Sequence, residues 1–92
     1  MRLLPITFTE GNFRYSQVQR TEHFAIYRQE HSEGGMIRFE VIRIRIAPEY
    51  TYKSTGKTTP EREYYPSSKT WGKDGFTCFI LKEAEELVKE LE

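Results

Sequence analysis

The chain has 92 residues, enough for one domain with a thin core, since a chain of this size hides only about two thirds of the surface it exposes when unfolded. Charged residues make up 30% and apolar residues 37%, with six Tyr, six Phe and one Trp, a balance that excludes disorder and gives a small core large side chains. Lysine plus arginine equals aspartate plus glutamate at 14 each, so no global field draws the chain to nucleic acid or to an anionic membrane.

The charges are nonetheless uneven. Met36 to Gly75 holds eight basic and five acidic residues, whereas Lys82 to Glu92 holds two basic and five acidic. Cys78 has no partner for a disulfide, and the opening Met1-Arg2-Leu3-Leu4-Pro5 runs into Thr7, Thr9 and Glu10 rather than an apolar stretch. Both features predict a cytoplasmic protein with no signal peptide and no membrane partner.

In chain order, Leu4, Ile6 and Phe8 alternate with polar residues, Glu10-Gly11-Asn12 reads as a turn, and Phe13, Tyr15 and Val18 resume an extended pattern. Residues 1–20 are therefore predicted as an N-terminal hairpin. Phe24-Ala25-Ile26-Tyr27 begins a third strand, with Phe24 and Ile26 on one face and Ala25 and Tyr27 on the other, and Ser32-Glu33-Gly34-Gly35 supplies the next turn. From Met36 to Ala47, Ile37, Phe39 and Val41 share one parity and Ile42, Ile44 and Ile46 the other. A bulge near Val41-Ile42 would keep all six on one core face and send Arg38, Glu40, Arg43 and Arg45 outward, so residues 23–47 read as a central hairpin with a strongly curved second strand.

Residues 50–65, with Tyr50, Tyr52 and the turn Ser54-Thr55-Gly56-Lys57, predict a short polar hairpin that Pro60 confines to an edge. Tyr65 to Gly75 reads as an ordered loop, and residues 76–79 as a last strand. Leu81, Ala84, Leu87, Val88 and Leu91 recur at helical spacing, which predicts an amphipathic helix over 81–91, with Ile80 where a side-chain cap would be expected.

Phe24-Ala25-Ile26-Tyr27-Arg28, Phe39 to Arg45, Tyr65-Pro66, Trp71-Gly72, Gly75-Phe76-Thr77 and Leu81 to Glu85 make up a pattern whose most specific part is the run Y-P-x4-W-G-x2-G-F-T from Tyr65 to Thr77. From about Asn12 onward the chain resembles a family of small uncharacterised proteins of phages, prophages and bacterial genomes. The paired Tyr64-Tyr65 and the uncapped Ile80 depart from that family. The resemblance implies a mobile-element context and assigns no functional site.

Motifs that carry chemistry fail on their own requirements. Gly56-Lys57-Thr58 lacks the glycine a phosphate loop needs at Thr51, and Pro60 breaks the helix that should follow. Ser54 and Lys57 match a penicillin-binding tetrad without its companion motifs. His23 and His31, eight positions apart, would lie roughly 26 Å from each other along one strand, too far to share a metal ion. Cys78 sits in an apolar run as a small hydrophobe. No catalytic residue, metal site or cofactor is read; a small hydrolase using His23 or His31 is the remote alternative.

Trp71, with Gly72, Gly75 and Phe76, reads as a structural unit that caps the core where loop meets sheet. Arg38, Arg43, Arg45, Tyr50 and Tyr52 form the candidate binding set, the mix of guanidinium and aromatic groups that nucleic-acid-binding sheets use. The expectation is an α+β fold: one curved antiparallel sheet of about 4–6 strands with the C-terminal helix on its concave face, its other face partly exposed and rich in Arg and Tyr. Function is expected to be a non-enzymatic binding module of phage or prophage type contacting a host or phage protein, for instance as an inhibitor, with nucleic-acid binding as the alternative. The sequence leaves monomer and homodimer open.

Overall fold

A computed structural model describes all 92 residues. The strands are β1 (Thr7–Glu10), β2 (Phe13–Arg20), β3 (Phe24–His31), β4 (Arg38–Arg43), β5 (Arg45–Ala47), β6 (Tyr50–Thr51), β7 (Thr58–Thr59), β8 (Arg62–Tyr64) and β9 (Gly75–Cys78), and the chain ends in α1 (Leu81–Leu91). The main sheet has the order β1-β2-β3-β4-β9 and every pairing in it is antiparallel. The fold is α+β, with the helix packed across β3, β4 and β9.

The centre of the sheet, in β3 and β4, is buried on both faces. On the helix side, Phe24, Ile26 and Val41 pack with Ala84 and Val88, and Leu81, Leu87 and Leu91 close around them. On the opposite side, Ala25, Tyr27 and Ile42 pack with Leu4 and Tyr15 beneath Phe8, Tyr65 and Trp71. Val41 and Ile42 are adjacent and both 0% exposed. The parity change in the sequence therefore marks a strand sandwiched between two cores, which is the ordinary reason for a continuous apolar run.

The bulge expected at Val41-Ile42 is absent, and β4 keeps regular register with β3 from Arg38 to Arg43. Nor does one strand run from Met36 to Ala47, because the chain leaves the sheet at Ile44, whose N–H donates to the His23 carbonyl at 2.8 Å, and β5 pairs with β8 instead. The irregularity lies in β2, where Gln17 faces Tyr27 and Gln19 faces Ile26, leaving Val18 as an extra residue. That extra residue turns Gln17 toward the Tyr27 hydroxyl and Gln19 toward Glu85 on the helix.

The segment expected to form one edge hairpin over 50–65 divides. Tyr50-Thr51 and Thr58-Thr59 make a two-stranded hairpin outside the main sheet, its tip turned by Gly56 at φ 70°. Beyond it, β8 fastens the N-terminal segment to the body. Arg2 donates to the Glu61 carbonyl and accepts from the Glu63 N–H, while the Glu63 carboxylate takes the Leu4 N–H at 3.0 Å and the Arg20 guanidinium in a two-pronged pair at 2.7 Å. No helix is long and apolar enough to cross a membrane.

Candidate functional site

The sheet face away from the helix carries a layer of aromatic rings. Phe8 stacks on Tyr15 with centroids 4.5 Å apart, and Tyr65 drops from the loop after β8 to meet Phe8 at 5.4 Å and Tyr27 at 5.3 Å edge-on. The phenol groups are satisfied rather than stranded: Tyr27 donates to the Pro5 carbonyl at 2.6 Å, Tyr15 accepts from Gln29 at 2.9 Å, and Tyr65 donates to Glu40.

Trp71 is held against this layer. Its ring lies on Gly75, so close that a Cβ there would sit 2.2 Å from the indole, and its Nε1 donates to Thr77 Oγ1 at 3.1 Å. Gly72, at φ 93°, turns the chain between them, and its N–H donates to the Gly75 carbonyl at 2.6 Å. The loop from Tyr65 to Gly75 is thereby fixed over the sheet without covering all of it. Between the loop and the β1–β2 turn runs an open groove of about 600 Å³, walled by Phe13, Tyr15, Tyr65 and Trp71, with Glu10 and Glu40 in its lining and Ser67 and Ser68 at its rim.

The groove is acidic. Burial pushes the Glu40 carboxyl above its ordinary range, the Tyr65 hydroxyl pulls it partly back, and the charge of Glu10 adds to the rise. Tyr65 is driven well above the ordinary phenol range by burial first and then by Glu40, and Tyr15 is raised by its own burial, with Glu40 and Glu10 adding to the rise. Every ion pair in the molecule uses other carboxylates, so Glu10 and Glu40 face the groove without a cationic partner.

No family model, curated protein or solved structure matches this chain.

The five residues expected to form one binding face are dispersed. Regular alternation along β4 puts Arg38 on the aromatic side, with its guanidinium 6.0 Å from the Phe79 ring, and Arg43 on the helix side, 4.7 Å from the Phe24 ring. Arg43 and Arg45 converge on the buried Asp74, each at 3.6 Å, and so clamp the loop that carries Trp71. Tyr50 and Tyr52 stand apart on the β6–β7 hairpin, edge to face at 5.0 Å and exposed by 58% and 51%.

Of the four residues expected to cap the core together, Trp71, Gly72 and Gly75 meet in one turn, while Phe76 lies on the other face of the sheet. Trp71 closes the aromatic core and Phe76 joins the helix-side core through the strand that Gly75 opens. His23 and His31 flank opposite ends of β3: His23 lies 3.5 Å from Glu92, and His31 accepts the Glu33 N–H at 3.1 Å while meeting Phe13 edge-on. Cys78 packs into the helix-side core, where burial raises its thiol. The sequence did carry one sign of the groove, a glutamate at position 40 between the apolar Phe39 and Val41, but its meaning depends on Tyr65 arriving from 25 residues away.

Proposed function

We propose that the protein is a cytoplasmic, non-enzymatic binding module of phage or prophage type that contacts a host or phage protein. The observation that carries this reading is the groove beside Trp71: an open, aromatic-walled concavity on a loop held rigid by Asp74, Gly75 and Thr77, large enough to receive several side chains of a partner. Aromatic walls with a few polar groups are what protein-recognition sites present at their centres.

Photo-crosslinking tests it. A benzoylphenylalanine placed at Ser68, on the groove rim, is expected to give discrete adducts in host cells that the same group at Lys89, on the exposed side of the helix, does not give. Identical adduct patterns at the two positions would contradict the reading.

A second reading rests on the β6–β7 hairpin. Tyr50 and Tyr52 present exposed rings beside Lys53 and Lys57, and no acidic residue lies between Tyr50 and Thr59, so bases could stack there along a basic tip. Under this reading, labelled single-stranded DNA or RNA binds in a salt-sensitive way and Tyr52→Ala weakens it. Absence of binding at low salt retires it.

A further inference from the structure

The chemistry of the groove specifies what it receives. We propose that it binds a basic side chain, foremost an arginine, presented on a segment of the partner protein, with the cation between the aromatic walls and its charge on Glu40 and Glu10; this rests on the groove being a docking surface.

Three features point to that occupant. Glu40 is partly withdrawn from water and has only the Tyr65 hydroxyl as a partner, so a cation reaching it would offset a desolvation that this one hydrogen bond offsets only in part. Phe13, Tyr65 and Trp71 line the groove beside the two carboxylates, and a guanidinium is the cation that both packs on aromatics and pairs with carboxylates through a planar fork. No lysine or arginine lines the groove. The cations nearest in the fold are otherwise placed: Arg38 lies over Phe79 and Lys69 is exposed beyond the rim, while His31 is turned edge-on to Phe13.

A divalent metal ion fits poorly, because it would ask for six or more oxygen ligands where two carboxylates stand among rings. An acidic or phosphorylated segment would meet two like charges. The groove volume of about 600 Å³ exceeds one side chain, so the arginine arrives with flanking residues.

The test is selection of random twelve-residue peptides on the immobilised full chain, followed by affinity measurements. The selected peptides are expected to share one basic position whose replacement by citrulline weakens binding by about tenfold or more, the scale of a desolvated cation–aromatic contact with a carboxylate. Glu40→Gln keeps the Tyr65 hydrogen bond and should erase the preference for arginine over citrulline, with the fold checked by circular dichroism. Ser68→Trp fills the groove and should abolish binding of every selected peptide.

Peptides that Ser68→Trp blocks but that tolerate citrulline would overturn the cation while leaving the groove as a docking surface. If no selected peptide responds to Ser68→Trp, the docking surface falls as well. Self-association of the purified chain that Ser68→Trp removes would make a second copy the occupant and overturn the proposal.

Discussion

Two glutamates show how one residue type acquires opposite roles from its surroundings. Glu63 is met by Arg20 and the Leu4 N–H, which hold its carboxyl below the ordinary range, whereas burial lifts that of Glu40. A carboxyl lowered by folding contributes stability that is present above its unfolded value and lost as pH falls through the folded one; a raised carboxyl does the reverse, its contribution being complete in acid and lost as pH rises through the folded value. Glu40→Gln is therefore expected to be at least as stable as the parent at pH 7 and to lose that relative gain near pH 4. Glu63→Gln should cost about 1–3 kcal/mol at pH 7, by loss of charged hydrogen bonds, with the penalty shrinking in acid. Thermal melts across that range read both, and parallel curves for the two variants would contradict the assignment. Gly75 is the third residue with a sharp expectation: the Trp71 ring leaves no room for a methyl group, so Gly75→Ala should destabilise by about 1–3 kcal/mol, and Trp71→Ala introduced with it should remove much of the added penalty, as a double-mutant cycle would show.

Among the elements, the helix was legible in the sequence because its apolar spacing depends only on local geometry: all five predicted contact residues, from Leu81 to Leu91, lie against the sheet. The faces of Phe24 to Tyr27 were legible for the same reason. The strand Met36 to Ala47 was not, since a parity change fits either a bulge or burial on two sides, and the choice depends on Leu4, Tyr65 and Trp71, which are distant in sequence and cover the second face. Separation of Arg38 from Arg43 follows directly from the regular alternation that the bulge would have broken. Because both faces of β4 are buried, Val41→Ala and Ile42→Ala should each destabilise by about 2–4 kcal/mol; a near-neutral Ile42→Ala would contradict the two-sided core. The helix start offers a change in the other direction. Ile80 already has extended backbone geometry at φ −132° and ψ 150°, is 53% exposed and provides no side-chain cap. Ile80→Asp should therefore add about 0.5–1.5 kcal/mol, read as a rise of several degrees in the melting midpoint.

On the scale of the whole molecule, a sheet of five strands separates two small cores, and the helix covers only one of them. The second is covered by short irregular pieces, the N-terminal segment and the Tyr65–Gly75 loop, and the incomplete cover leaves the groove. Overall neutrality conceals this arrangement, with a groove that is acidic and a β6–β7 hairpin whose tip is basic. The two readings of function thus make claims on different surfaces of one molecule. Amide chemical-shift mapping by NMR, with a short arginine-containing peptide and its norleucine counterpart, separates them most directly. Saturable shifts confined to Glu10–Tyr15, Glu40 and Tyr65–Trp71, seen with arginine and not with norleucine, are the expected result; shifts centred on Tyr50–Thr59, or equal for both peptides, would contradict the groove as a receptor for basic side chains.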